Sequence, residues 1–258
     1  MILAVDIGNT TVGICIIDND EIIAVEKCMT DISEIEINYH DKITKMLISR
    51  NIAKIDGAVI SSVVPLMTEL IRNVISSEYG VVPLIVNYKT ACNITIKTDE
   101  PSKVGSDRIA DAVGAVSEYG TPLIIIDMGT ATTVSVVNKD SEFTGGVILP
   151  GVGTALNALI KNTAQLPQIK LGTPPQSIIG TNTADSIESG MLYGTAAAID
   201  GICDRIFSEL GYKSEIVATG GNSGKIIPLC RNKIILDKQL IMKGLNIIYQ
   251  NNKEKTNA

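Results

Sequence analysis

One pattern occurs twice in this chain. Leu3-Ala4-Val5-Asp6-Ile7-Gly8-Asn9-Thr10-Thr11-Val12 stands near the start, and Ile124-Ile125-Ile126-Asp127-Met128-Gly129-Thr130-Ala131-Thr132-Thr133-Val134 near the middle. Each copy is an apolar strand closed by Asp-x-Gly, then small hydroxyl residues, then a second strand. Each second strand runs into a polar turn, Asp18-Asn19-Asp20 or Asn138-Lys139-Asp140, and a third strand follows, Glu21 to Glu26 or Phe143 to Leu149. Such a meander cannot bury its own apolar face, so the remainder of each half must cover it. The remainder has the right composition. Helical stretches are expected at Asp41 to Arg50, Leu66 to Tyr79 and Ser106 to Tyr119, with strands at Gly57 to Val64 and Val82 to Val86. The second half continues with a helix from Gly153 to Asn162, a Pro-rich loop over 166–175, a long helix from Asp185 to Leu210, a strand at Ile216 to Ala218 and a helix from Asp237 to Tyr249. The polar tail from Asn251 is expected to fray. Strands and helices mixed in this order describe two three-layer α/β domains. The 258 residues suffice for two domains of about 120 each, divided here as 1–105 and 106–258.

The bulk numbers remove several function classes. A net charge of −6 argues against nucleic acid as the main partner, because phosphate backbones need a basic footprint. No apolar stretch reaches the ~20 residues that span a bilayer, and Asp6 interrupts the apolar N-terminus at once, so a soluble cytoplasmic protein is expected. The cysteines, Cys15, Cys28, Cys92, Cys203 and Cys230, are too dispersed for a metal knuckle and read as reduced thiols. The single histidine, His40, lies in a polar stretch. If the chain is an enzyme, carboxylates must move its protons.

Asp6-Ile7-Gly8-Asn9-Thr10 carries definite chemistry. Gly8 permits a tight turn and close approach of a ligand. Successive N–H groups and the Thr10 and Thr11 hydroxyls suit phosphate oxygens. A carboxylate would repel phosphate, so Asp6 is suited to hold Mg²⁺, directly or through water. Asp127-Met128-Gly129-Thr130 repeats the logic and could serve a second cation. Gly105-Ser106-Asp107-Arg108 opens a helix, where Asp107 is either a residue favoured by the helix dipole or a catalytic base beside an anion anchor, Arg108. Thr219-Gly220-Gly221 suits a chain lying flat against a base or ribose, or simply a helix entry. Gly220-Gly221-Asn222-Ser223-Gly224-Lys225 is one residue short of a phosphate loop, and Ile226 stands where Ser or Thr must bind Mg²⁺.

Together these motifs resemble the type III pantothenate kinases. The resemblance rests on Asp6 to Thr10, Gly105 to Arg108, Asp127 to Thr133, Gly145-Gly146-Val147-Ile148-Leu149-Pro150-Gly151, Ile179-Gly180-Thr181-Asn182-Thr183 and Ala218 to Gly221, in the family's order. It implies an actin-like (ribonuclease H-like) α/β fold with two duplicated domains and a cleft between them. It implies transfer of the γ-phosphate of ATP to the primary hydroxyl of pantothenate, a homodimer, Mg²⁺ and a monovalent cation, K⁺ or NH₄⁺. By position, Asp6, Ile7, Gly8, Asn9, Thr10, Thr11, Val12, Gly13 and Thr130 would bind ATP. Asp107 would be the base, Gly105, Ser106, Asp107, Arg108 and Thr183 would bind pantothenate, and Asp127 would hold the monovalent cation. Thr98 stands where many members carry a substrate-contacting Tyr, and Ser106 where many carry Ala.

Overall fold

The computed structural model describes residues 1–31, 35–163, 167, 169–172 and 174–256. Part of the Pro-rich loop expected over 166–175 therefore lies outside the described residues. In chain order the first half reads β1 (Ile2–Ile7), β2 (Thr11–Asp18), β3 (Glu21–Met29), α1 (Ile35–Ser49), β4 (Gly57–Ser62), α2 (Pro65–Tyr79), β5 (Leu84–Ile85), β6 (Thr95–Ile96) and α3 (Ser106–Tyr119). The second reads β7 (Leu123–Met128), β8 (Ala131–Val137), β9 (Glu142–Pro150), α4 (Val152–Lys161), α5 (Thr183–Leu210), β10 (Glu215–Thr219), α6 (Ser223–Ile226), β11 (Ile235–Leu236) and α7 (Leu240–Thr256).

Two compact units result. One comprises Met1–Glu118 and the residues from Gln239 onward; the other is Tyr119–Lys238. The division read from the sequence placed α3 and α7 with the second half, whereas their contacts group them with the first.

In the first unit the strand order is β3-β2-β1-β4-β5. β1 pairs antiparallel with β2 and parallel with β4. Side chains alternate across a strand. Leu3, Val5, Ile7, Ala58 and Ile60 therefore share one face, where they pack on Tyr39, Ile43, Met46 and Leu47 of α1 and on Met67, Ile71 and Ile75 of α2. Those spacings of three and four residues are the buried stripe of a helix. α2 opens on Pro65 and closes on Gly80 at φ 66, a left-handed C-cap. The opposite sheet face carries Gly13, Gly57 and Ser61, and α7 covers part of it: a Cβ on Gly13 would lie 2.9 Å from the Met242 methyl, and one on Gly57 would collide with the Tyr249 ring. α3 and α7 meet backbone to backbone at Gly114 and Gly244. Glu118 and Lys243 add an ion pair of 2.9 Å between the same helices.

The second unit repeats the plan. Its strands β9-β8-β7-β10-β11 take the places of β3-β2-β1-β4-β5. β7 pairs antiparallel with β8 and parallel with β10. Ile124, Ile126, Met128, Val134 and Ala218 form the face that packs on Val152 of α4 and on Leu192, Ala196, Ile199 and Cys203 of α5. The Asp200 carboxylate accepts the Arg231 and Asn232 N–H groups at 2.7 and 2.9 Å and so pins the loop before β11 to α5.

Two expectations need correction. The first helix begins at Ile35, ahead of Asp41. The last helix continues through Thr256 instead of ending near Tyr249. The cause is tertiary: Asn252 is buried, and its amide donates to the Thr90 carbonyl at 3.1 Å and the Ile248 carbonyl at 2.9 Å.

Candidate active site

In the first unit, Asp6 sits at the end of β1, level with Gly13 on β2 and Ser61 on β4. The chain turns at once, with the Gly8 N–H donating to the Thr11 carbonyl at 2.9 Å. Asn9, Thr10 and Thr11 are exposed. Thr30, just past β3, grips this turn from outside it. Its Oγ1 donates to the Gly8 carbonyl at 2.7 Å and its N–H to the Thr10 carbonyl at 2.9 Å.

The register leads from Asp6 to Asp107. Ser61, beside Asp6 on the same sheet face, has its Oγ 3.1 Å from the Oγ of Ser106. Ser106 Oγ also accepts the Ser62 N–H at 2.8 Å and donates to the Ser62 carbonyl at 2.9 Å. Ser106 is buried, and these three bonds lock the start of α3 to the end of β4. Its hydroxyl is thus committed to the protein, leaving its backbone for any ligand. Asp107 follows in the first turn, where its Oδ1 accepts the Arg108 N–H at 2.8 Å. The same carboxylate folds over Gly105, and a Cβ on that residue would collide with it. A larger residue there would displace the Asp107 carboxylate from this position, which gives Gly105 a physical role beside Asp107. Burial lowers the Arg108 pKa, and the adjacent Asp107 carboxylate opposes that shift. Thr98 Oγ1 is buried without a hydrogen-bond partner among the described residues.

In the second unit, Asp127 ends β7, level with Thr133 and Thr219 and opposite to the packed face of that sheet. The Thr219-Gly220-Gly221 turn closes over it. Gly220 has φ 92, a conformation glycine favours, and a Cβ there would overlap the Asp127 carboxylate and lie 2.5 Å from the Met128 nitrogen. Ser223 Oγ holds the turn by donating to the Gly220 carbonyl at 2.6 Å. Thr130 is exposed, and its carbonyl accepts from the Gly151 N–H at 3.0 Å and Thr154 Oγ1 at 2.7 Å. This is why Gly151 follows Pro150 in the sequence: a Cβ at Gly151 would overlap the Gly129 carbonyl.

Thr183 is exposed at the first turn of α5. Asn182 caps that helix by accepting the Asp185 N–H at 2.9 Å. Thr183 lines an open pocket of about 540 Å³ with Leu159, Gly180, Thr181, Ser186 and Met191, among others. Neither Asp127 nor Thr130 lines it.

Within each unit, then, an acidic strand end and a Gly-containing turn are built by the same pairing scheme, and the first unit adds Asp107 through Ser61 and Ser106. The sequence model described as type III pantothenate kinase matches residues 2–205. The chain belongs to the type III pantothenate kinase family. Relatives include the type III pantothenate kinases of Halalkalibacterium halodurans, 34% identical over 98% of this chain and 100% of that one, and of Moorella thermoacetica, with the same identity and coverage. Solved structures similar in fold include the (R)-2-hydroxyglutaryl-CoA dehydratase component A of Acidaminococcus fermentans, with a TM-score of 0.57, 15% identity and 98% coverage of both chains. An inorganic polyphosphate/ATP-glucomannokinase of an Arthrobacter strain gives 0.50 at 13% identity, over 96% of this chain and 98% of that one. At such identities these two show the fold alone, which is the duplicated actin-like α/β fold.

In this type III pantothenate kinase, three side chains that shape the candidate site lie outside the motifs legible in the sequence as phosphate or acceptor ligands. Thr30, Ser61 and Ser223 act through contacts with residues distant in sequence or through a turn, and none carries a motif of its own. Their only signal is a hydroxyl residue at or next to a strand or helix end. Among the described residues no helix is long and apolar enough to cross a membrane.

Proposed function

We propose that this chain catalyses transfer of the γ-phosphoryl group of ATP to the primary hydroxyl of pantothenate, giving 4′-phosphopantothenate, the first step towards coenzyme A. The observation that carries this reading is the family match over residues 2–205, with relatives 34% identical over 98% of the chain, combined with Asp107 at the head of α3, next to Ser106, which is clamped to β4. In a loose phosphoryl-transfer transition state the nucleophile bonds late. An alcohol is a far weaker acid than a carboxylic acid, so Asp107 orients the hydroxyl and takes its proton late. Base catalysis of this kind contributes about 10²–10⁴-fold. Arg108, half-buried beside Asp107, anchors the pantothenate carboxylate, and Gly105, the Ser106 backbone and Thr183 line the substrate.

The loop from Asp6 through Ile7, Gly8, Asn9, Thr10, Thr11 and Val12 to Gly13, with Thr130, holds the ATP phosphates. The donor sets fit hard cations, since Asp6 and Asp127 offer only oxygen. Among the described residues no group of three or more His, Cys, Asp or Glu side chains could hold a metal ion. Asp6 would therefore share Mg²⁺ with phosphate oxygens and water, and Asp127 a monovalent cation, K⁺ or NH₄⁺, with neighbouring oxygens. Bound there, these ions neutralise charge on the phosphates. A cytoplasmic homodimer completes the proposal.

The test is a coupled assay of ADP release from purified protein with ATP, Mg²⁺, K⁺ and pantothenate. Pantothenate-dependent turnover is expected, and Asp107→Asn should remove most of it while leaving ATP binding intact. Turnover with glycerol or sugars and none with pantothenate would overturn the reading. Near-normal turnover in Asp107→Asn would overturn the assignment of the base.

A further inference from the structure

Thr30 supports the turn at residues 8–10 from outside it, through the two hydrogen bonds given above. Peptide planarity gives those bonds a consequence. In a trans peptide the C=O and the following N–H point in opposite directions. Fixing the Gly8 carbonyl on Thr30 therefore aims the Asn9 N–H away from Thr30. Fixing the Thr10 carbonyl does the same to the Thr11 N–H. A phosphate needs this arrangement: it is attracted by N–H dipoles and repelled by carbonyl oxygens. A turn free to flip either peptide would present a carbonyl to the phosphate part of the time.

We propose that Thr30 is a positioning residue for the nucleotide, setting the peptide planes of the phosphate loop so that N–H groups face the phosphates and carbonyls face away. The proposal rests on the reading of Asp6 to Gly13 as the phosphate loop. Thr30 touches neither nucleotide nor acceptor in this role; it acts through Gly8 and Thr10. Its backbone contributes one of the two bonds whatever the side chain, so the hydroxyl controls the Gly8 peptide in particular.

The experiment compares Thr30→Val, which keeps the shape and the backbone bond but removes the hydroxyl, with Thr30→Ser, which keeps the hydroxyl. The KM values for ATP and pantothenate, the Kd for ATP and thermal melting are measured for each. Loss of one ordinary hydrogen bond predicts a rise of about 3–10-fold in the KM and Kd for ATP in Thr30→Val. The pantothenate KM should stay within about twofold, and Thr30→Ser should restore the ATP values. Unchanged ATP parameters in Thr30→Val, or an equal rise in both KM values with a lower melting temperature, would overturn the proposal. Gly8→Ala separates the proposal from the reading beneath it, because its Cβ would sit 3.2 Å from the Thr11 carbonyl and crowd the loop itself. If Gly8→Ala weakens ATP binding and Thr30→Val does not, only the role of Thr30 falls. If neither changes ATP binding, the phosphate-loop reading falls as well.

Discussion

The contact between α3 and α7 offers the sharpest test of how this fold supports catalysis. A Cβ on Gly114 would lie 2.6 Å from the Leu240 carbonyl oxygen, 3.0 Å from the Gly244 nitrogen and 3.2 Å from the Gly244 Cα. Ordinary contact distance is about 3.5 Å, so Gly114→Ala forces the helices apart by roughly 0.8 Å. Every obstructing atom is backbone and cannot rotate aside. Alanine should gain about 1 kcal/mol in helix propensity, against an overpacking cost of about 1–3 kcal/mol. A net loss of about 1–2 kcal/mol follows from these two terms at the upper half of that range. The consequence for turnover is larger. Asp107, the proposed base, lies seven residues up the same helix, about 10 Å along its axis, so a displaced α3 carries it along. A misplacement near 1 Å can cost about 10²-fold in rate. We expect kcat to fall by about tenfold or more with smaller changes in KM. Urea titration and steady-state kinetics on Gly114→Ala read both effects. Gly194→Ala is the control, since nothing lies within 4 Å of its Cβ, and it should be as stable as the parent or slightly more so. If Gly114→Ala proves as stable as Gly194→Ala, the close approach of α3 and α7 does not exist as described.

Two further outcomes follow. Ser106→Ala removes the hydroxyl that satisfies the Ser62 N–H and pairs with Ser61. It should destabilise the protein by about 1–2 kcal/mol and lower kcat more than it raises either KM, and an unchanged melt with an unchanged kcat would show that this clamp contributes nothing. Burial pushes the thiols of Cys15, Cys203 and Cys230 up to about 12 from an ordinary 9.0. Their folded pKa exceeds the unfolded value, so the stability they contribute is complete below pH 9 and is lost as pH rises towards 12. Melting temperature should therefore fall steadily from pH 9 to 11, and a thiol reagent at pH 8 should label Cys15 in the native protein far more slowly than in urea.

Much of the architecture was legible in the residues. The duplicated strand-Asp-x-Gly-strand pattern announced two sheets built alike, and five corresponding strands follow the same order in each. Ser106 to Tyr119 was read as a helix, and α3 has those bounds. The sequence also carries the reason for several glycines, since Gly105 and Gly151 precede or follow the motif residues that a side chain would strike. Local signals of this kind survive in a linear reading because they depend on spacing and chain conformation alone.

Other features exist only once distant segments meet. Thr30 controls Gly8 across 22 residues of chain, and Ser106 locks to Ser62 across 44. α7 runs past its polar appearance because Asn252 finds the Thr90 carbonyl 162 residues away. Composition marked that tail as solvated; a buried amide with two carbonyl partners outweighs that preference, since satisfying a buried polar group is worth more than local propensity. The sequence alone thus determined the repeat, the helices and the acidic turns. Tertiary structure decided which hydroxyl steadies the turn after Asp6 and which locks the helix bearing Asp107, because strand register and helix crossings place those partners.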